Sequence, residues 1–264
     1  MEWWQAVILG LIEGLTEYLP VSSTGHLLLG QRLLGLPSGP AADAYAICIQ
    51  AGAILAVLGL YRQRVAQGFA GLLGKDVAGR RLVINLGVAF IPAAVIGFLL
   101  DDLIEAYLFG LAPITVAWLA GSAAILLIKP PTQGLALEGL QPRQAALIGL
   151  AQCLAMWPGT SRSLATILAG SLCGLSMAAT VEFSFLLGLI TLSAATAYSG
   201  MKHGAEVIEA YGLVTPLIGM VVAWASAVAA VRWMVGWLQS HGMGVFAVWR
   251  LISALIAIAL LAAA

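Results

Sequence analysis

Six stretches of this chain stay apolar for about the length of a bilayer-crossing helix: 41–61, 82–100, 110–128, 177–199, 213–231 and 245–263. About 20 such residues carry a helix across the hydrocarbon core, so each stretch is read as one crossing. Two further stretches are apolar but interrupted. The first, 3–34, is cut at Pro20 and continues through Val21-Ser22-Ser23-Thr24-Gly25-His26; the second, 144–175, is cut at Pro158 and continues through Gly159-Thr160-Ser161-Arg162-Ser163. Proline ends a helix by removing a donor and clashing with the preceding turn. The flanking pieces are short for a crossing, so both regions are expected to be helical hairpins that enter and leave on one side.

The charged positions orient this pattern. The 62–81 loop carries Arg62, Arg64, Lys75, Arg80 and Arg81 against Asp76 alone, which marks it as cytoplasmic. Asp101, Asp102 and Glu105 lie in a connection without Lys or Arg, which fits the outer side. Counting crossings puts Lys129, Arg143 and Arg232 inside and Glu206, Glu209 and both termini outside. The first hairpin then enters from outside and the second from the cytoplasm. The expected fold is an all-α integral membrane protein, a single domain over 1–264. It is built as an inverted repeat (1–129 and 143–264) of a re-entrant hairpin plus three transmembrane helices, six full crossings in total. Gly10-Leu-Ile-Glu-Gly-Leu-Thr-Glu-Tyr-Leu-Pro20 parallels Gly149-Leu-Ala-Gln-Cys-Leu-Ala-Met-Trp-Pro158, and Pro92 and Pro216 open a weaker echo. Inverted repeats whose broken helices meet near the midplane recur in transporters. Non-helical backbone at that depth must be buried in protein or line a wet cavity, so a polar cavity is expected between the repeats.

Composition agrees with the membrane reading. Of 264 residues 61% are hydrophobic and 9% charged, where soluble domains carry about 25% charged residues. Twelve basic residues balance twelve acidic ones, so no global field recruits nucleic acid. Cys48, Cys153 and Cys173 lack metal-ligand spacing and read as buried small hydrophobes. Met1-Glu2-Trp3-Trp4 has no basic leader, so no cleaved signal peptide is expected; Trp3 and Trp4 read as interfacial anchors. Phe69, Leu72 and Leu73 among the basic residues of 62–81 suit an interfacial helix. Gly97, Gly121, Ser122 and Ala123 suit close helix packing.

The broken hairpins hold the candidate chemistry. Glu13 and Glu17 stand one helical turn apart on one face. Intramembrane carboxylates are costly and default to functional candidates. The pair can hold a hard divalent cation, Mg2+ or Ca2+, which favours carboxylate oxygens and keeps water or phosphate as further ligands; alternatively one member serves as a base. Ser22, Ser23, Thr24 and His26 open the second half-helix, whose free N–H groups favour an anion. Serine needs an activating base or metal, and either Glu17 or His26 can supply the base; histidine can equally be the nucleophile or protonate the leaving group. Arg162, flanked by Thr160, Ser161 and Ser163, offers a planar fork suited to phosphate oxygens. Metal ligands, a nucleophile, an acid or base and an anion clamp are what phosphoryl transfer chiefly requires. Gln50 and Asn85 read as hydrogen-bonding across helices, with a supporting role open to Gln50. Glu182 and Asp43 face either the cavity or the interface, Arg250 snorkels or pairs, and His203 and His241 are expected in solvated loops.

These motifs resemble the undecaprenyl-diphosphate phosphatases linked to bacitracin resistance. Glu13-Gly-Leu-Thr-Glu-Tyr-Leu-Pro-Val-Ser-Ser-Thr-Gly-His26 is similar to the first motif of that family and Pro158-Gly-Thr-Ser-Arg-Ser163 to the second, with support from Ile49–Val57, Ile91–Phe98, Gln152–Pro158 and Glu182–Leu187. The resemblance implies a multi-pass enzyme of the bacterial inner membrane. It would hydrolyse C55 isoprenyl diphosphate to the monophosphate on the outer, periplasmic side and so recycle the carrier of cell-wall precursors. It places Glu13, Glu17, Ser23 and His26 at the catalytic centre and Arg162 on the diphosphate, with Ser161, Thr160, Ser22, Thr24 and Ser163 as further substrate-binding groups. The implied partners are the polyprenyl diphosphate lipid and the bilayer, with a homodimer allowed. Two positions depart from the family: Leu164 replaces a usual glycine, and Gly188-Leu-Ile-Thr191 replaces an Ala-Ile-Pro or Ala-Val-Pro stretch. Neither is expected to touch a reacting group. The alternative reading is a transporter or flippase that binds a polyprenyl phosphate with the same groups and leaves it intact. A lipid phosphatase of the acid-phosphatase superfamily fails, because Ser161-Arg162 lacks the His/Asp partner and no lysine–arginine-proline motif occurs.

Overall fold

The computed structural model describes residues 1–36, 39–131 and 133–263, with the side chains of 40, 101, 102, 105 and 106 also outside the description. Among the described residues the chain forms eleven α-helices. The first hairpin is α1 (Trp3–Thr16) and α2 (Ser23–Leu33), followed by α3 (Pro40–Leu60), α4 (Arg62–Leu72), α5 (Val77–Leu108) and α6 (Leu111–Leu127). The second hairpin is α7 (Pro142–Gln152) and α8 (Arg162–Leu172), followed by α9 (Met177–Tyr211), α10 (Val214–Ser240) and α11 (Gly244–Ala262).

Local sequence accounts for most boundaries. Glu2 and Gln141 open α1 and α7 with reciprocal capping boxes to Gln5 and Gln144, satisfying orphan N–H groups at both starts. Asp76 caps α5 by accepting from the Gly79 amide at 2.6 Å, and Ser176 caps α9. Both hairpins break where expected, at the Pro20 and Pro158 turns.

Five helices are long and apolar enough to cross a membrane: α3, α5, α9, α10 and α11. The helix α6 has 17 residues, about 26 Å at 1.5 Å per residue, slightly under the roughly 30 Å of hydrocarbon. The helices α5, α9 and α10 run past the expected spans. A helix has no reason to stop at the edge of the apolar zone when its backbone bonds continue, so α9 carries His203, Glu206 and Glu209 on its extension. His203 therefore lies in a helix and contacts Glu206 at 3.3 Å, whereas a loop was expected. The connection expected at 101–109 is mostly helix, as α5 continues to Leu108; the side chains of Asp101, Asp102 and Glu105, on which its acidic character rests, lie outside the description.

Packing crosses between the two halves of the chain. The helix α1 lies on α10 and α7 on α5, while α3 faces α9 and α6 faces α11. Small residues permit the first two contacts: a Cβ at Gly10 would meet the Gly219 carbonyl at 2.5 Å, and one at Gly149 would overlap the Ala89 backbone. The largest core joins Tyr18 and Val21 of the first hairpin to Leu164, Ile167 and Leu168 of the second, over Val57, Phe185, Met234 and Phe246. Phe98 and Leu127, about four-fifths exposed, lie on the outer face of the bundle. Cys48, Cys153 and Cys173 are free and half-buried, where burial was expected; Cys153 and Cys173 sit at the C-terminal ends of α7 and α8.

Candidate active site at the meeting of two hairpins

The two interrupted helices come together. The guanidinium of Arg162, at the first position of α8, donates from Nη2 to Glu17 Oε1 at 3.1 Å. Ser23, at the first position of α2, donates its hydroxyl to the other oxygen, Glu17 Oε2. One carboxylate thus joins a hydroxyl from its own hairpin to a cation from the other. Arg162 is held further by the Ser184 carbonyl at 3.1 Å and by the face of Tyr18, 5.1 Å from its ring centroid. Its Nε is buried without a partner, which leaves a charged donor for an anion.

Glu13 lies one turn before Glu17, 1% exposed, with Oε1 unpartnered. With Ser23, Thr24, Asp43 and Gln50 it lines a cavity of about 170 Å3. Leu28, Gln31, Asp43 and Phe109 are shared with a larger hollow of about 570 Å3 that Arg32 also lines. The orphaned Glu13 oxygen and the Gln50 amide in the cavity wall, with the Glu17 carboxylate one turn away, are oxygen donors of the kind a hard cation, Mg2+ or Ca2+, takes. No group of three His, Cys, Asp or Glu side chains with ligand geometry occurs among the described residues. Water and phosphate oxygens would therefore complete the coordination of any such ion.

The remaining candidates serve other contacts. His26 Nδ1 is 2.7 Å from the Ser22 carbonyl, and Nε2 is 2.9 Å from Trp249 Nε1 and 3.0 Å from Ser253 Oγ. An indole N–H only donates, so Nε2 accepts and the proton sits on Nδ1. His26 packs against Trp118 of α6 and Trp249 of α11, with both nitrogens engaged. Ser161 and Ser163 hydroxyls reach the Leu19 carbonyl at 3.4 and 2.8 Å. Ser161 also caps α8 through the Leu164 amide. Thr160 gives its carbonyl to Arg250 at 3.2 Å. The Ser161 and Ser163 hydroxyls thus join the two hairpins at Leu19. Ser22 and Ser161 have φ of 73° and 75° and are the non-glycine residues with positive φ among those described, a costly conformation that persists only where surroundings enforce it.

Gly188 and Trp118 make contacts here that were not read from sequence. Gly188 lies against a functional candidate, since a Cβ there would overlap the Arg162 guanidinium as it is placed, where no contact with a reacting group was expected. Leu164 is core-buried and Thr191 bonds Gln152 Oε1 at 3.4 Å. Glu182 pairs with Arg64 at 2.5 Å, and Arg64 also reaches Glu138 at 3.0 Å, which settles Glu182 outside the cavity. Gln50 accepts from Thr196 at 3.2 Å and Asn85 donates to the Leu140 carbonyl at 2.8 Å, both across elements as expected. The role of Trp118, which donates to the Val21 carbonyl at 2.9 Å, had no signal beyond a tryptophan in an apolar span. Arg250 had one: an unshielded charge in the last crossing.

Comparison with known proteins extends the picture. The family described as bacitracin resistance protein BacA matches residues 6–256. An undecaprenyl-diphosphatase of Sorangium cellulosum (strain So ce56) is 41% identical over 258 residues, covering 95% of this chain and 84% of that protein. One of Methylococcus capsulatus (strain Bath) is 42% identical over 257 residues, covering 95% and 92%. Undecaprenyl-diphosphatase 2 of Rhodospirillum rubrum is 41% identical over 259 residues, covering 97% and 93%. The match runs through both hairpins and nearly the full length of the relatives, and on that extent the chain belongs to the bacitracin resistance protein BacA family.

Proposed function

We propose that this chain hydrolyses undecaprenyl diphosphate to undecaprenyl phosphate and inorganic phosphate, recycling the cell-wall lipid carrier at the outer face of the bacterial inner membrane. The names of its relatives support the substrate and the reaction. The observation that carries the chemistry is the Ser23–Glu17–Arg162 array.

In this reading Ser23 Oγ attacks the terminal phosphorus and its proton passes to Glu17, to which it already donates. The bond from phosphorus to the bridging oxygen breaks, and undecaprenyl phosphate leaves with that electron pair. Water then attacks the phosphoserine; the bond from phosphorus to Ser23 Oγ breaks, protonated Glu17 returns its proton to that oxygen, and inorganic phosphate leaves with both hydrogens of the water. Arg162, with its free Nε, stabilises charge on the transferred group, as preorganised donors do in phosphoryl transfer. The engaged nitrogens of His26 favour serine over histidine as nucleophile and give His26 the task of holding Ser22 and α2. Thr24 and Ser22 stand beside the headgroup. Glu13 and Glu17 would hold a divalent cation, Mg2+ or Ca2+, which when bound would neutralise diphosphate oxygens. A site that only carried a headgroup would have no use for a serine hydroxyl set on a buried carboxylate, so the array favours cleavage over transport.

The same reading includes the topology. The helices α3, α5, α6, α9, α10 and α11 cross the membrane, α1–α2 and α7–α8 are re-entrant, and the repeats 1–129 and 143–264 have opposite orientation. Support comes from the matched packing of α1 on α10 and α7 on α5. The paired capping boxes at Glu2 and Gln141 and the paired positive-φ serines add to it.

Purified protein with Mg2+ or Ca2+ is expected to release inorganic phosphate from undecaprenyl diphosphate. Glu17→Ala should lower the rate by about 10³-fold or more, as loss of an activating base does, and a strong chelator should stop wild-type turnover. Headgroup movement across liposomes without phosphate release would replace this reading with the transporter.

A further inference from the structure

We infer that Arg250 is a positioning residue that locks the two hairpin turns against each other in the register that brings Ser23 and Arg162 onto Glu17. Its side chain is completely buried, and its described partners are all backbone carbonyls. Nη1 donates to Pro20 at 3.3 Å and to Thr160 at 3.2 Å, so a single nitrogen bridges one hairpin turn to the other. Nη2 donates to Gly159 at 3.0 Å and Ala117 at 2.8 Å, and Nε to Trp118 at 3.3 Å. The guanidinium lies over Gly121, where a Cβ would overlap it.

The placement of these carbonyls gives the contact its leverage. Thr160 directly precedes Ser161, and Pro20 stands two residues before Ser22, the two serines held at positive φ. Each strained serine is followed by the first residue of a half-helix, Ser23 in α2 and Arg162 in α8. Fixing the carbonyls fixes the turns, and the turns aim the hydroxyl and the guanidinium. A lysine cannot do the same, because its donors radiate from one point, whereas five N–H groups in a plane span carbonyls from three segments.

The kinetic arm of the test rests on the phosphatase reading; the distance arm does not. Arg250→Met, Arg250→Lys and Arg250→Ala are purified and checked for monodispersity. Spin labels at Leu15→Cys and Leu154→Cys, on exposed positions of the two hairpins, are placed in a background lacking the native cysteines. Arg250→Met should lower kcat by about 10²-fold, the loss that a displacement of about 1 Å can cause, with KM within about threefold because Arg250 touches no substrate. The label-to-label distribution should broaden, and guanidinium ion should restore kcat to Arg250→Ala but add nothing to wild type. If Arg250→Met aggregates, Arg250→Lys, which retains the charge, carries the same readouts. A kcat within threefold of wild type, or a distance distribution identical to wild type, overturns the inference. Should wild-type protein release no phosphate, the functional reading fails, and the distances alone decide for or against Arg250.

Discussion

Ser23, Glu17 and Arg162 each do work that depends on the other two. Glu17 is 7% exposed, and a buried carboxylate is tolerable only when hydrogen-bonded or paired; here it is both. The serine hydroxyl and the arginine fork each take one oxygen, which orients the hydroxyl and sets the cation beside it. The arrangement predicts an order of sensitivity. Ser23→Ala should abolish phosphate release by about 10³-fold or more without loss of the folded state. His26→Gln keeps a side chain that can accept from Trp249 and should retain far more activity. Phosphate release measured for the two variants side by side checks this, and the reverse order would make histidine the nucleophile. Glu13 differs in kind: its Oε1 has no hydrogen-bond partner, and its side chain lines the cavity wall.

Helices in a bilayer gain little from burying apolar surface against one another, so their association depends on close packing and hydrogen bonds. Gly14 lies against Ala223 and Ser226 of α10, and Gly52 of α3 against Met220, which brings three backbones together around the first hairpin. Gly188 uses the same device for a side chain. Within α9 a glycine is locally unfavourable by roughly 1 kcal/mol relative to alanine, but its missing Cβ admits the Arg162 guanidinium. Gly188→Val should displace that guanidinium and lower phosphate release by about 10²-fold, in the range of losing one charge-stabilising donor. Thermal unfolding followed in parallel should show the bundle intact, and unchanged turnover would mean that Arg162 has another place to go. The turns obey a stricter rule. Buried carbonyls need partners, and those of Leu19, Pro20 and Val21 find Ser163, Arg250 and Trp118. Each partner lies on a different helix, so the turn is assembled by the fold around it.

For the whole molecule, the proposed opposite orientation of the repeats sets where each surface must lie. Leu73, at the end of α4, and Met201, on the extension of α9, are both well exposed. In a cysteine-free background, a cysteine at 73 should react with a membrane-impermeant maleimide only from the cytoplasmic side and one at 201 only from the outside. Labelling of both from one side would invalidate the six-crossing topology. The Arg64–Glu138–Glu182 contact ties α4, the segment before α7 and α9 together.

Hydropathy alone located the hairpins, because proline, hydroxyl and glycine residues inside an apolar run have few uses in lipid other than to end a helix. It located the long apolar helices as well, though not their ends: apolar length reports the thickness of the solvent, while backbone hydrogen bonding lets α5, α9 and α10 run past the apolar stretches. Spacing identified Glu13, Glu17, Ser23 and Arg162 as a set, since each is expensive in a membrane without a task. Only the tertiary structure decided what those residues touch. It turned His26 toward Trp249 and Ser253, put Ser161 and Ser163 to work on Leu19, and revealed Gly188 and Arg250 as neighbours of the hairpin turns. Such contacts join positions up to 230 residues apart, and no local periodicity records which distant carbonyl a buried guanidinium will find.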